Sequence, residues 1–145
     1  MNKKILIIII AIVAIIVAGV GGYYFISTQG PVMKNETIEG ITVSIPSETN
    51  LTKNAYGVYD DKEVGVQFSV QNSSLELTVF MSTVDGRKDM NRITLENLPK
   101  DAIAWKSDEG WINILVVNKD ASKGILVGAK DNEGLAIEIA NSVKF

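Results

Sequence analysis

The sequence predicts an α+β protein: an N-terminal transmembrane helix, then a mostly antiparallel six- or seven-stranded sheet with a C-terminal helix packed on it. Three observations carry that expectation. Residues 5–26 form a run of 22 residues without a charge. Several later runs alternate apolar and polar residues with period two and are separated by short polar turns. The final segment instead places its apolar residues at helical spacing.

As a helix, the 22 residues of the apolar run rise roughly 33 Å, enough for the ~30 Å hydrocarbon core of a bilayer. Asn2, Lys3 and Lys4 precede the run, and Tyr23, Tyr24 and Phe25 close it. Lysines on the cytoplasmic side and aromatics at the far interface orient such a span with its N-terminus inside. The expectation is a single-pass anchor in the cell membrane, with a cytoplasmic stub over 1–4, the lipid bilayer as partner of 5–26, a linker over 27–39 and an extracytoplasmic domain over 40–145. A cleaved secretory signal is the competing reading, with Gly19-Val20-Gly21 as a mediocre cleavage site. Its apolar core would run ~7–15 residues, shorter than this one, so the anchor is preferred. Both readings put the domain outside.

Along the domain, Ile41, Val43 and Ile45 alternate with Thr42 and Ser44 as a strand stopped by Pro46. Tyr56 and Val58 before Asp60-Asp61-Lys62 suggest a short strand and turn. Val64, Val66, Phe68 and Val70, then Leu75, Leu77, Val79 and Met81, alternate on either side of Gln71-Asn72-Ser73-Ser74 and read as a β-hairpin. Residues 85–99 read as one short helix. Ala102–Trp105 and Trp111–Val117 are strands around the turn Ser107-Asp108-Glu109-Gly110, with Gly110 suited to a left-handed position. Gly124–Ala129 is a further strand. Asp131-Asn132-Glu133 then starts a helix whose Leu135, Ala136, Ile139, Ala140 and Val143 share one face.

Composition narrows the chemistry. The chain has no histidine and no cysteine, so Ser-His-Asp and Cys-His catalysis, His-ligated metals, zinc-thiolate sites and iron–sulfur clusters fall away. What remains is carboxylate, lysine, tyrosine or Ser-Lys chemistry, or a carboxylate site for a hard cation. Residues 31–145 carry 12 Lys/Arg and 17 Asp/Glu, a balance of −5, with no basic cluster beyond Arg87-Lys88. Specific nucleic-acid binding is not expected on that balance.

The candidate residues each have a plainer reading. Asp60, Asp61 and Glu63 suit a hard cation, but they lack the spacing of a calcium loop and fit a solvated turn better. Asp108 with Glu109, Asp120 and Asp131 could do acid–base work only in a shaped cleft; turn and cap chemistry explains them more simply. No catalytic, metal or cofactor residue is therefore assigned. Trp105 and Trp111 flank a hairpin tip and form a candidate contact surface, with Tyr56 and Tyr59 as lesser members; packing into the core is the bland alternative. Asn35, Asn50 and Asn72 stand in Asn-x-Ser/Thr sequons, where an exported protein accepts glycans.

The order of these segments also carries a resemblance. Gly40-Ile41-Thr42-Val43-Ser44-Ile45-Pro46 opens the domain with a strand ending in Ile-Pro. Glu138-Ile139-Ala140-Asn141-Ser142-Val143-Lys144-Phe145 closes it with a last helix and a Ser-Val-Lys-Phe tail. With the alternating runs between them, the chain resembles the PsbP/Mog1-like superfamily, and it looks like small membrane-anchored proteins of unassigned role in methanogenic archaea. The resemblance implies an α/β/α sandwich and a non-enzymatic binding or accessory role, and it carries over no catalytic residue.

The functional expectation is a membrane-anchored extracytoplasmic binding or interaction domain, non-catalytic, with an envelope protein or glycan as partner. The alternatives are a carboxylate-dependent hydrolase acting on cell-envelope polymers and an accessory subunit of a membrane complex.

Overall fold

The computed structural model describes residues 32–145. The segment expected to span the bilayer lies outside them, and among the described residues no helix is long and apolar enough to cross a membrane. Among the described residues the fold is α+β: a seven-stranded antiparallel sheet, a two-stranded hairpin and two helices, one of them C-terminal.

The hairpin comes first. β1 (Met33–Ile38) pairs with β2 (Ile41–Pro46) in perfect register through a two-residue turn. Glu39 and Gly40 both take positive φ (48° and 85°), the geometry that matches a tight hairpin to the strand twist. Residues 33–38 were expected to be linker; they are a strand instead, because Glu39-Gly40 folds this polar run back onto the alternating Ile41, Val43 and Ile45.

The main sheet has the order β3-β4-β5-β9-β8-β7-β6. Its strands are β3 (Thr52–Lys53), β4 (Tyr59–Asp61), β5 (Val66–Gln71), β6 (Met90–Ile93), β7 (Ile103–Ser107), β8 (Trp111–Val117) and β9 (Gly124–Lys130). β8 and β9 are central and buried almost throughout, which is why their sequences are nearly continuous apolar runs rather than alternating ones. Gly110 adopts φ 91° in the β7–β8 turn, as expected.

Two expectations are corrected between these strands. Residues 74–85 are a helix, α1 (Ser74–Asp85), not the second arm of a hairpin. The cause is the N-cap: Glu76 N–H donates to Ser73 Oγ (3.1 Å), and the Glu76 carboxylate reaches back to accept from Asn72 N–H, one residue before the cap (2.5 Å). Leu77 and Val84, with Phe80 and Met81 between them, then form the buried stripe, while Leu75 and Val79 are exposed. The short helix expected over 85–99 is absent: Asp85 ends α1, and residues 86–99 hold the edge strand β6, paired along β7.

The sheet has a cover on each face. On one side, Val66, Phe68, Ile112, Ile114, Ile125 and Val127 pack with β2 and with α2 (Glu133–Ser142) through Leu135, Ala136, Ile139 and Ala140. Asn132 caps α2 by accepting from Leu135 N–H (3.0 Å). On the other side, α1 sits on Trp105, Leu115 and Leu126. α1 covers only part of that second face, and what it leaves open positions the site.

Candidate functional site

Antiparallel register lines side chains of successive strands into rows across the face under α1. One row runs Arg92, Trp105, Asn113, Gly128, Gln67; the next contains Met90, Ser107, Trp111 and Lys130. The first row runs on past Gln67 to Asp60 of β4, and the second lies nearest the β7–β8 turn. There a cavity of about 220 Å³ opens, lined by Gln67, Arg87, Asp89, Met90, Ser107, Glu109, Trp111 and Asn113.

Its floor is polar where β8 is otherwise apolar. Asn113 is 1% exposed and stands between Ile112 and Ile114 in a strand buried almost throughout. Its Oδ1 accepts from Gln67 Nε2 at 3.1 Å. The two carboxamides meet across the intervening strand because Gly128 has no side chain: a Cβ there would lie 2.6 Å from Gln67 Cγ and 2.8 Å from Asn113 Oδ1. Asn113 Nδ2, by contrast, is buried with no hydrogen-bond partner in the protein.

The walls are tied down. Ser107 Oγ accepts from Trp111 N–H at 3.0 Å, and Asp108 N–H donates to the Asp89 carbonyl at 3.0 Å, joining the β7–β8 turn to the start of β6. At the rim, Arg87 donates to Asp89 through Nε (2.9 Å) and Nη2 (2.6 Å). This fork holds the Asp89 carboxyl below the usual carboxylate range and raises the guanidinium above its own. Lys130 Nζ lies 5.8 Å from the centroid of the Trp111 ring. The arrangement offers donors, acceptors and an aromatic wall, with Arg87 and Asp89 paired at the rim and Glu109 beside them.

The structure separates the expected contact aromatics. Trp105 is fully buried, with its Nε1 donating to Asp85 Oδ1 at 2.8 Å and its ring edge-on to Phe80, so it is a core residue and no contact surface. Trp111 is half-buried and lines the cavity. Tyr59 pairs opposite Phe68 and packs on the other face of the sheet; Tyr56 is 92% exposed on a turn. The four do not form one surface.

The acidic candidates lie on separate turns, except that Asp131 sits against the Asp108–Gly110 turn, its N–H donating to the Gly110 carbonyl at 2.9 Å. Asp60, Asp61 and Glu63 lie at the β4–β5 connection, Asp108 on the β7–β8 turn, Asp120 on the β8–β9 turn at the opposite end of the sheet, and Asp131 between β9 and α2. Asp61 is occupied as a loop organiser: it accepts from the N–H groups of Asn50 (2.7 Å), Glu63 (3.0 Å) and Val64 (3.1 Å), which depress its pKa. Asp120 is held low by Ser122, first through its hydroxyl and then its backbone N–H. Among the described residues, no three acidic side chains are grouped as a metal-ion site. The sequon residues Asn35, Asn50 and Asn72 are all exposed; Asn35 lies in β1 rather than in a turn.

The sequence points to Trp111, reads Glu109 as a turn acid, and does not gather Gln67, Asn113, Arg87, Asp89 and Ser107 into one site. The available signal was Asn113 itself, the single polar residue inside Trp111-Ile112-Asn113-Ile114-Leu115-Val116-Val117. No protein-family model and no curated protein matches the chain.

Proposed function

We propose that the chain is a membrane-anchored, extracytoplasmic binding domain without a catalytic role, and that it binds through the cavity floored by Asn113 and Gln67 and walled by Trp111. One observation carries the site: a carboxamide 1% exposed in the floor of the cavity, with its Nδ2 buried and unpartnered. Leaving such a donor unpaired costs about 1–3 kcal/mol, which a ligand acceptor at that point offsets. The charge-free run 5–26, the lysines before it and the aromatics after it support the anchor and its orientation.

The full-length chain, solubilised in a sugar-free detergent and applied to immobilised envelope glycans and envelope proteins, tests the reading. Binding should be lost with Asn113→Leu while the melting transition is retained. Binding that survives this substitution contradicts the site, and turnover of an envelope polymer contradicts the non-catalytic role.

A second reading, accessory subunit of a membrane complex, is favoured by α1. Leu75 and Val79 are 73% and 57% exposed and, with Phe80, line an apolar groove of about 420 Å³. Native electrophoresis of gently solubilised membranes should then show a complex that Leu75→Lys and Val79→Lys disperse.

A further inference from the structure

We infer, resting on the cavity reading above, that the ligand is a neutral hydroxyl-rich ring: the terminal uncharged sugar residue of a glycan. Size comes first. Pockets for drug-sized ligands run about 300–1,000 Å³, and this one is about 220 Å³. It takes one ring or one end group, not a chain of them.

The polar groups then set the chemistry. Asn113 Nδ2 is a buried donor without a partner, so the ligand must bring an acceptor to the floor. Ser107 Oγ already accepts from Trp111 N–H, which leaves its hydroxyl proton to donate. Glu109 at the cavity wall can only accept when ionised. A carboxylate or phosphate ligand satisfies Asn113 and is repelled by Glu109; an ammonium group does the reverse. Hydroxyl groups donate and accept, and adjacent hydroxyls on one ring do so in two directions at once.

Charge points the same way. Arg87, which would otherwise recruit an anion, is committed to Asp89 by two hydrogen bonds. Glu109 in the lining feels the Arg87 guanidinium, and Lys130 lies beside Trp111, so charges of both signs border the site. Trp111 supplies what remains, an apolar wall for the C–H face of a ring whose edge is polar.

Calorimetric titration of the full-length chain in a sugar-free detergent tests the inference. The probes are methyl glycosides of a neutral hexose, an N-acetylhexosamine, a uronate and an unacetylated amino sugar, with inorganic phosphate beside them. One or both neutral glycosides should bind, with the charged probes at least tenfold weaker. Asn113→Leu should weaken neutral binding tenfold or more, and so should Glu109→Ala, a turn substitution that leaves the core intact. A charged probe binding as tightly as the neutral ones overturns the ligand class and leaves the cavity standing. Neutral binding that neither substitution affects overturns the cavity as its site. No binding by any probe overturns the sugar inference alone, since the cavity is judged by the envelope array and its Asn113→Leu control.

Discussion

Gln67 and Asn113 share a hydrogen bond of 3.1 Å across a strand that lies between their own, and Gly128 is the residue over which they meet. Gly128 has no positive φ to explain it; the missing Cβ is its reason. Gly128→Ala should therefore destabilise the domain by about 1–3 kcal/mol, the usual cost of forcing extra volume into a packed site. In a Gln67→Ala background the cost should shrink, since one of the two crowded side chains is gone. Denaturant melts of the four proteins give the coupling; strict additivity would show that the glycine does not accommodate this pair.

Trp105 is held on three sides. Asp85 accepts from its Nε1, Phe80 meets it edge-on at 6.4 Å, and the Arg92 guanidinium lies 5.7 Å from its centroid while pairing with Asp85 at 3.0 Å. Trp105→Ala should cost about 3–5 kcal/mol, as other large aromatic truncations in cores do. A loss below 1 kcal/mol in thermal or chemical melts would contradict its core role.

Acid should weaken the fold through a small set of aspartates. Hydrogen bonding from Trp105, then from Arg92, lowers the Asp85 pKa, and Asp61, Asp89 and Asp120 shift in the same direction. A carboxyl whose folded pKa lies below its unfolded one adds stability that is complete above about pH 4 and is lost as pH falls through the folded value. The melting temperature should hold near neutrality and drop below about pH 4. Asp85→Asn should lower stability at pH 7 and shrink the acid drop; an unchanged drop would remove Asp85 from the set.

Ser73 decides between two secondary structures. Ser73→Ala removes the acceptor for Glu76 N–H and should cost about 1 kcal/mol, read as a lower denaturation midpoint. The substitution leaves Asn72 and Ser74 as a sequon, so an unchanged gel shift on deglycosylation separates loss of the cap from loss of a glycan.

Topology has a direct handle because the chain lacks cysteine. Tyr56→Cys places one thiol at a position 92% exposed in the native protein. A membrane-impermeant maleimide should label it in intact cells; labelling only after lysis would contradict an outward-facing domain.

The sequence made some of this plain and concealed the rest for physical reasons. β8, β9 and α2 were legible because their burial is set by their own residues: long apolar runs for the central strands, and a 3.6-residue stripe behind Asn132 for the helix. Residues 75–84 satisfy two periods at once. Leu75, Leu77, Val79 and Met81 alternate, while Leu77, Phe80, Met81 and Val84 follow a helix, and only the Ser73–Glu76 cap separates them. β1 and β6 carry polar side chains and become strands through the neighbours they pair with. The cavity was hidden for a related reason. Gln67, Asn113 and Gly128 belong to three strands, and their alignment exists only once the register is set.

The unpartnered Asn113 carboxamide is the centre of the proposed site, and nuclear magnetic resonance reads that group itself. The side-chain NH₂ cross-peaks of Asn113, assigned by their loss in Asn113→Leu, should be followed as a neutral methyl glycoside is added to the full-length chain. The account predicts a saturable shift of those cross-peaks, together with that of the Trp111 indole N–H and without change at the Trp105 indole. Saturable binding that moves other resonances and leaves Asn113 and Trp111 where they were would contradict it.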